Sequence, residues 1–142
     1  MKIEQITTIN DEVFEQINTL MAALSTSYQP DRATLELLVN SVDSQLYILR
    51  NEKQIIGSYT LGFYVSPTGR KACLEDVVVH PDFRGQGLGK QLITHAVNEL
   101  KNSGVKQVLF TSKPSRIAAN ALYKSLGFTQ KETNVYVMKF SS

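Results

Sequence analysis

The segment Arg84-Gly85-Gln86-Gly87-Leu88-Gly89-Lys90 constrains the fold of this chain more than any other. A valine-rich run precedes it and an amphipathic pattern follows it. Glycine at every second position removes side chains and admits positive φ, so consecutive backbone N–H groups can turn inward. The helix that starts there adds the partly positive end of its dipole to the same spot. Arg84 and Lys90 place full charges at either edge. A strand, an anion-binding turn and a helix in that order predict an α/β unit that holds a phosphate or pyrophosphate.

Spacing narrows the kind of phosphate loop. A Walker loop ends in Gly-Lys followed by Ser or Thr, with another glycine five residues before the last. Here Gln91 follows Lys90, and Arg84 stands where the first glycine belongs. A dinucleotide fingerprint needs a third glycine three residues after the second, and Lys90 occupies that place. What remains is Arg-x-x-Gly-x-Gly, entered from Glu75-Asp76-Val77-Val78-Val79-His80-Pro81.

The rest of the chain reads as regular elements around this unit. Lys2–Ile9 has the anchors of a short strand. Asn10 and Asp11 offer N-caps to a helix with Val13, Phe14, Ile17, Leu20, Met21 and Leu24 on one side, and Pro30-Asp31 opens a second helix. Strands follow at Leu46–Arg50, Ile55–Val65 and Lys71–Val79, with turns at Asn51-Glu52-Lys53 and Ser66-Pro67-Thr68-Gly69. On the last of these strands, period-two alternation puts Glu75, Val77 and Val79 on one face and Asp76 on the other. Leu88, Leu92, Ile93, Ala96, Val97 and Leu100 repeat at helical spacing, and Ser103-Gly104 ends that helix. Val105–Phe110 reads as a strand, and Ser115 caps a final helix that stops at Gly127. Phe128 and Val135–Phe140 read as two closing strands. The predicted order is βααβββαβαββ, an α/β (α+β) fold with a mixed central sheet flanked by helices. Residues 1–142 read as one domain.

Composition removes several classes of function. A net charge of +2 in 142 residues is too small for a nucleic-acid interface. No apolar run approaches the roughly 18 residues of a membrane span, and Met1-Lys2-Ile3-Glu4-Gln5 has no signal-peptide core. Cys73 is the single cysteine, which excludes an intrachain disulfide, suits a cytoplasmic setting and reads as a small strand hydrophobe. His80 reads as a loop residue and His95 as a solvent-facing position of its helix. Neither joins Cys73 at metal-ligand spacing, so no metal is expected.

A second informative segment lies near the end. Arg116, Asn120 and Tyr123 stand at i, i+4 and i+7, so they share a helix face, while Ile117, Ala118, Ala121, Leu122 and Leu126 form an apolar one. Asn120-x-x-Tyr123, followed by Lys124-Ser125-Leu126-Gly127-Phe128, resembles the Asn-x-x-Tyr-x-x-x-Gly-Phe motif of the GNAT N-acetyltransferase superfamily. The Arg-x-x-Gly-x-Gly loop resembles the acetyl-CoA loop of the same superfamily, and the predicted element order matches its fold along nearly the whole chain.

That resemblance implies acetyl-CoA as cosubstrate and an acetyl transfer to an amine. Backbone N–H groups from Arg84, Gly85, Gln86, Gly87, Leu88, Gly89 and Lys90 would hold the pyrophosphate. Val77, Val78 and Val79 at a bulged strand end, with Asn120, would pair with the pantetheine arm, and the Val78 N–H would face the thioester oxygen. Tyr123 would protonate the departing thiolate: a thiol has a pKa of about 8.5 and a phenol about 10, so the site must assist. Glu75 would act as base for a protonated amine, directly or through water.

The acceptor is expected to be a small-molecule amine that receives the acetyl group directly, without a covalent enzyme intermediate. Ser25-Thr26-Ser27-Tyr28 and Thr133-Asn134-Val135-Tyr136 are the expected pocket segments. The strand end and glycine loop are similar to those of glucosamine-6-phosphate N-acetyltransferases, but Thr111-Ser112-Lys113-Pro114-Ser115-Arg116 departs from their pattern and that substrate is not carried over. Two alternatives stay open: a protein or peptide N-acetyltransferase, and a CoA-binding regulatory module without catalysis. Two helices and a C-terminal hairpin leave surface for a homodimer.

Overall fold

The structure, a computed structural model, describes residues 1–141 apart from Thr26 and Tyr28. Two compact units arise, residues 1–111 and residues 112–142. In the first unit, β1 (Lys2–Ile6), α1 (Asp11–Leu24), α2 (Arg32–Asn40), β2 (Ser44–Asn51), β3 (Gln54–Ser66), β4 (Gly69–Val79), α3 (Leu88–Lys101) and β5 (Val108–Leu109) follow in order, with a 3-10 turn at Pro81–Phe83. The strands form one sheet in chain order. It is antiparallel from β1 to β4, and β5 is parallel to β4.

Local chemistry sets the helix starts. Asn10 Oδ1 accepts from the Val13 N–H at 2.8 Å and Asp31 Oδ1 accepts from the Thr34 N–H at 2.7 Å, so α1 and α2 carry side-chain caps. Val13, Ile17 and Leu20 of α1 and Leu35 of α2 pack with Ile6, Leu46, Ile48, Ile55 and Val78 on one face of the sheet. The α3 stripe of Leu88, Leu92, Ile93, Ala96 and Leu100 is buried. It lies against the other face, where a Cβ at Gly57 would stand 3.2 Å from Leu92 Cδ1. A bare glycine under that leucine lets α3 settle close to the sheet.

The N-terminus of α3 is left open. Its N-cap is Gly87, in the left-handed region at φ 76°, with no side-chain cap. Glycine in place of a capping Ser or Asp costs only a few tenths of a kcal/mol. Burying each large side chain of the stripe contributes about 1.5–3 kcal/mol. Packing therefore carries the helix, and its first N–H groups stay available.

One irregularity dominates β4. Ser58 pairs with Val78 and Thr60 with Glu75, so Asp76 and Val77 together face Tyr59. That is a β-bulge with the extra residue on β4. Asp76 sits at φ 52°, a region where Asp is tolerated better than most non-glycine residues. Asp76→Gly should therefore match or exceed the parent in a urea melt. Asp76→Val should lose about 1–2 kcal/mol, because a β-branched residue resists the left-handed region. Equal stability of all three would show that the bulge does not depend on this conformation.

The bulge corrects the expected alternation. Partners across a ladder share a face, so Glu75 lies on the same face as Val78, the α1 and α2 side. Val79 pairs with Gly57 and lies on the α3 side. Glu75 and Val79 are thus on opposite faces, because one additional residue reverses the parity.

The second unit contains α4 (Ile117–Ser125). Arg116, not Ser115, occupies its N-cap, and no side chain caps it. The helix ends as expected: Gly127 has φ 98°, its N–H donates to the Lys124 carbonyl, and the Phe128 N–H donates to the Tyr123 carbonyl. Residues 128–141 form no strand, against the two strands expected at Phe128 and Val135–Phe140. Val135, Tyr136, Val137, Met138 and Phe140 are exposed. Alternation in sequence supplies strand propensity, but a strand also needs a hydrogen-bonded neighbour. β5 is likewise shorter than the expected 105–110, with only Val108 and Leu109 paired.

Candidate active site

The first unit carries two of the expected donor-binding segments, Val77–Val79 at the end of β4 and the Arg84–Lys90 loop that follows. β5 pairs with β4 only at Ala72 and Cys73. Beyond Cys73, no strand among the described residues covers that edge. His80 N–H donates to the Ile56 carbonyl at 2.7 Å, which makes this a hydrogen-bonded pair of the ladder. Two residues earlier, Val78 opposite Ser58 takes the same side. Val78 therefore directs its amide to β3. The expectation that its N–H faces a thioester oxygen does not fit this register.

Val77 and Val79, on either side of Val78, are the positions that the register turns away from β3. Val77 is the second residue of the bulge and has no partner on β3. Val79 turns outward, and its carbonyl accepts from Arg84 Nε at 3.3 Å. Arg84 thus reaches back from the loop and lies across the exposed strand edge.

The loop itself has the geometry of an anion cradle. Gly85 and Gly87 have φ 80° and 76°, and beyond the adjoining backbone no atom lies within 4 Å of a Cβ built on Gly85, Gly87 or Gly89. Lys90 lies in the first turn of α3, which carries no acidic residue. The uncapped N-terminus of a 14-residue helix, open glycines and two flanking cations suit a diphosphate.

Glu75 is exposed. Partial burial first, and the charge of Asp76 second, hold its carboxyl above the ordinary carboxylate range. A carboxylate displaced in that direction binds a proton more readily near neutrality, as a general base requires. Cys73 is half-buried, and burial followed by the neighbouring Glu75 charge pushes its thiol up. A raised thiol pKa keeps it protonated and a poor nucleophile.

In the second unit, Asn120 and Tyr123 are half-buried on α4, whereas Ile117 and Ala118 of the expected apolar face are exposed. Asn120 Nδ2 donates to the Lys113 carbonyl at 2.9 Å and to the Arg116 carbonyl at 2.8 Å. Its amide nitrogen is committed to holding the turn before α4, which leaves the Oδ1 acceptor for other work. The Tyr123 ring packs edge-on against Phe128, with centroids 6.5 Å apart.

Other expectations resolve as follows. Thr26 and Tyr28 lie outside the described residues, and Thr133–Tyr136 belong to the exposed segment without strands. His80 is a loop residue as expected, and its Nδ1 accepts from the Asp82 N–H. His95 is not solvent-facing: it bonds Tyr59 at 2.7 Å beneath α3. Helical spacing alone put it beside polar Thr94, and nothing in the sequence announced a buried phenol opposite. Among the described residues, no cluster of His, Cys, Asp or Glu could hold a metal ion. No helix there is long and apolar enough to cross a membrane.

Residues 9–128 match the acetyltransferase (GNAT) family. The chain belongs to that family. The [ribosomal protein bS18]-alanine N-acetyltransferase of Escherichia coli is 42% identical over 60 residues, which cover 42% of this chain and 40% of that protein. The match thus spans less than half the length of that relative. Among solved structures, an aminoglycoside acetyltransferase from an uncultured soil metagenomic sample, in complex with sisomicin, superposes with a TM-score of 0.83 at 24% identity, covering 99% of this chain and 96% of that one. A ribosomal-protein-alanine N-acetyltransferase from Brucella melitensis gives a TM-score of 0.75 at 19% identity, covering 99% of this chain and all 100% of that one. The GNAT chain described here therefore shares its fold with acetyltransferases named for unlike acceptors.

Proposed function

We propose that this GNAT protein is an acetyl-CoA-dependent N-acetyltransferase, and that its acceptor is a primary amine on a small molecule. The observation that carries the donor half is the bulge at Asp76–Val77, which opens the β4 edge directly before a glycine cradle. The family match runs across the boundary between residues 111 and 112, which supports treating both units as one acetyltransferase domain.

In this reading, backbone N–H groups of the loop from Arg84 to Lys90 hold the diphosphate. The pantetheine arm carries amide groups, and the outward backbone of Val77 and Val79 can extend the sheet ladder to them. Arg84 must then exchange its bond to the Val79 carbonyl for the incoming ligand. The Val77 N–H is the donor best placed by register to meet a developing oxyanion, as Val78 is already spent. Asn120 Oδ1 accepts from the arm, and the Tyr123 hydroxyl supplies the proton that the thiolate takes on leaving. Glu75 takes the proton from the amine. Transfer is direct, with positioning as a large contribution to rate.

A second reading has a specific observation behind it. The 42% identity to a ribosomal-protein alanine N-acetyltransferase favours a protein N-terminus as acceptor. One assay separates the readings: acetyl-CoA-dependent thiol release with small amines, amino sugars, and peptides bearing a free N-terminal alanine. Turnover of peptides alone would replace the small-molecule acceptor, and no turnover with any amine would favour a regulatory CoA-binding module.

The same assay tests Glu75. Its raised carboxyl pKa means that the ionised base appears only above the ordinary carboxylate range. The kcat/KM should therefore rise with pH along a limb displaced upward from about 4.3. Glu75→Gln should lower kcat by about 10² and flatten that limb, leaving only the one set by the amine itself. An unaltered profile would assign proton removal to another group.

A further inference from the structure

We infer that Tyr59 and His95 are positioning residues that hold the opened edge of β4 in register with the anion cradle at the start of α3. This rests on the donor site proposed above. Tyr59 is the one residue of β3 that faces both Asp76 and Val77, and its side chain is fully buried at 0% exposure. Its hydroxyl lies 2.7 Å from His95 Nδ1. His95 stands on α3 seven residues after Leu88, about 10 Å along the axis from the cradle.

The surroundings favour one direction for this bond. The Tyr59 ring stacks on Tyr47, with centroids 4.9 Å apart and planes 7° apart, and His95 meets both rings edge-on. One turn along α3, Glu99 accepts from the Tyr47 hydroxyl at 3.3 Å and lies 3.8 Å from His95 Nε2. The carboxylate favours the proton on Nε2, so Nδ1 accepts and Tyr59 donates. Burial drives the Tyr59 hydroxyl well above its ordinary pKa, which keeps it a donor.

Phenylalanine would fill the same space, so the hydroxyl needs its own account. Apolar contacts between a helix and a sheet are non-directional and tolerate sliding. A buried hydroxyl loses its partner when the helix shifts, and the unmet group carries a desolvation cost. The bond therefore fixes the position of α3 along its axis relative to the bulge. The distance between strand edge and cradle has to match the fixed length of a ligand that spans from thioester to diphosphate.

Calorimetry with CoA tests this. Tyr59→Phe should raise the Kd for CoA about 5- to 10-fold. Tyr47→Phe removes a hydroxyl from the same cluster but not from the bulge, so it should lower Tm while leaving Kd within twofold. His95→Leu should repeat the Tyr59→Phe effect, and covers the case in which that variant fails to fold. His95→Asn, with an amide oxygen to accept near the place of Nδ1, should restore much of the affinity. An unchanged Kd in Tyr59→Phe, or an equal loss in Tyr47→Phe, would reduce the pair to ordinary core. If the unmutated protein binds no CoA, the donor site falls and this inference with it. If it binds and Tyr59→Phe binds equally well, only this inference falls.

Discussion

Gly87→Val is expected to weaken CoA binding by at least 100-fold while shifting Tm by only a few degrees. Gly87 has φ 76° and ψ 15°, and a β-branched residue is a genuine outlier there. Holding valine in that conformation costs about 1–3 kcal/mol. The alternative is a loop that relaxes to negative φ and turns its N–H groups away from the ligand. Apart from the residue itself and its chain neighbours, no protein atom lies within 4 Å of the added Cβ, so the change meets no tertiary clash and the fold survives. On the proposed donor site, the added side chain competes for the space assigned to the diphosphate. Gly87→Ala, with a smaller side chain and a milder conformational cost, should fall between. Retained affinity by calorimetry in the valine variant would remove the cradle from the binding site.

Tyr123→Phe is expected to lower kcat by about 10² or more, with little change in the KM for acetyl-CoA. Phenylalanine keeps the edge-on packing against Phe128. It also keeps the backbone carbonyl that accepts from the Leu126 and Phe128 N–H groups. Only the hydroxyl is lost. A proton donor needed at departure of the thiolate acts in the transition state, so its removal appears in kcat. A matching rise in KM would instead make the hydroxyl a ground-state contact. An unchanged kcat would exclude the tyrosine from the chemistry.

The helices and the glycine loop were legible because their signals are local. Asn10 and Asp31 cap the helices they precede, and the stripe from Leu88 to Leu100 declares its buried side without reference to the rest of the chain. The bulge was not legible in the same way. Its extra residue exists only relative to β3, and Asp76 in the sequence looks like any strand carboxylate. That single register shift moved Glu75 away from Val77 and Val79, and transferred the outward amide from Val78 to its neighbours. The surroundings of His95 are hidden for a related reason: its partner Tyr59 is 36 residues away and becomes its neighbour only through the sheet. The segment from Val135 to Phe140 shows the converse, an alternating pattern that found no strand to pair with.

The bond from Arg84 to the Val79 carbonyl has a consequence for solubility. A sheet with exposed main-chain donors and acceptors invites strands from neighbouring molecules, which is the first step of aggregation. Here the bulge at Asp76 breaks the regular register of β4, and the Arg84 guanidinium takes up the Val79 carbonyl. On the proposed donor site, a ligand amide has one arginine contact to displace, whereas a foreign strand needs a straight run of free partners.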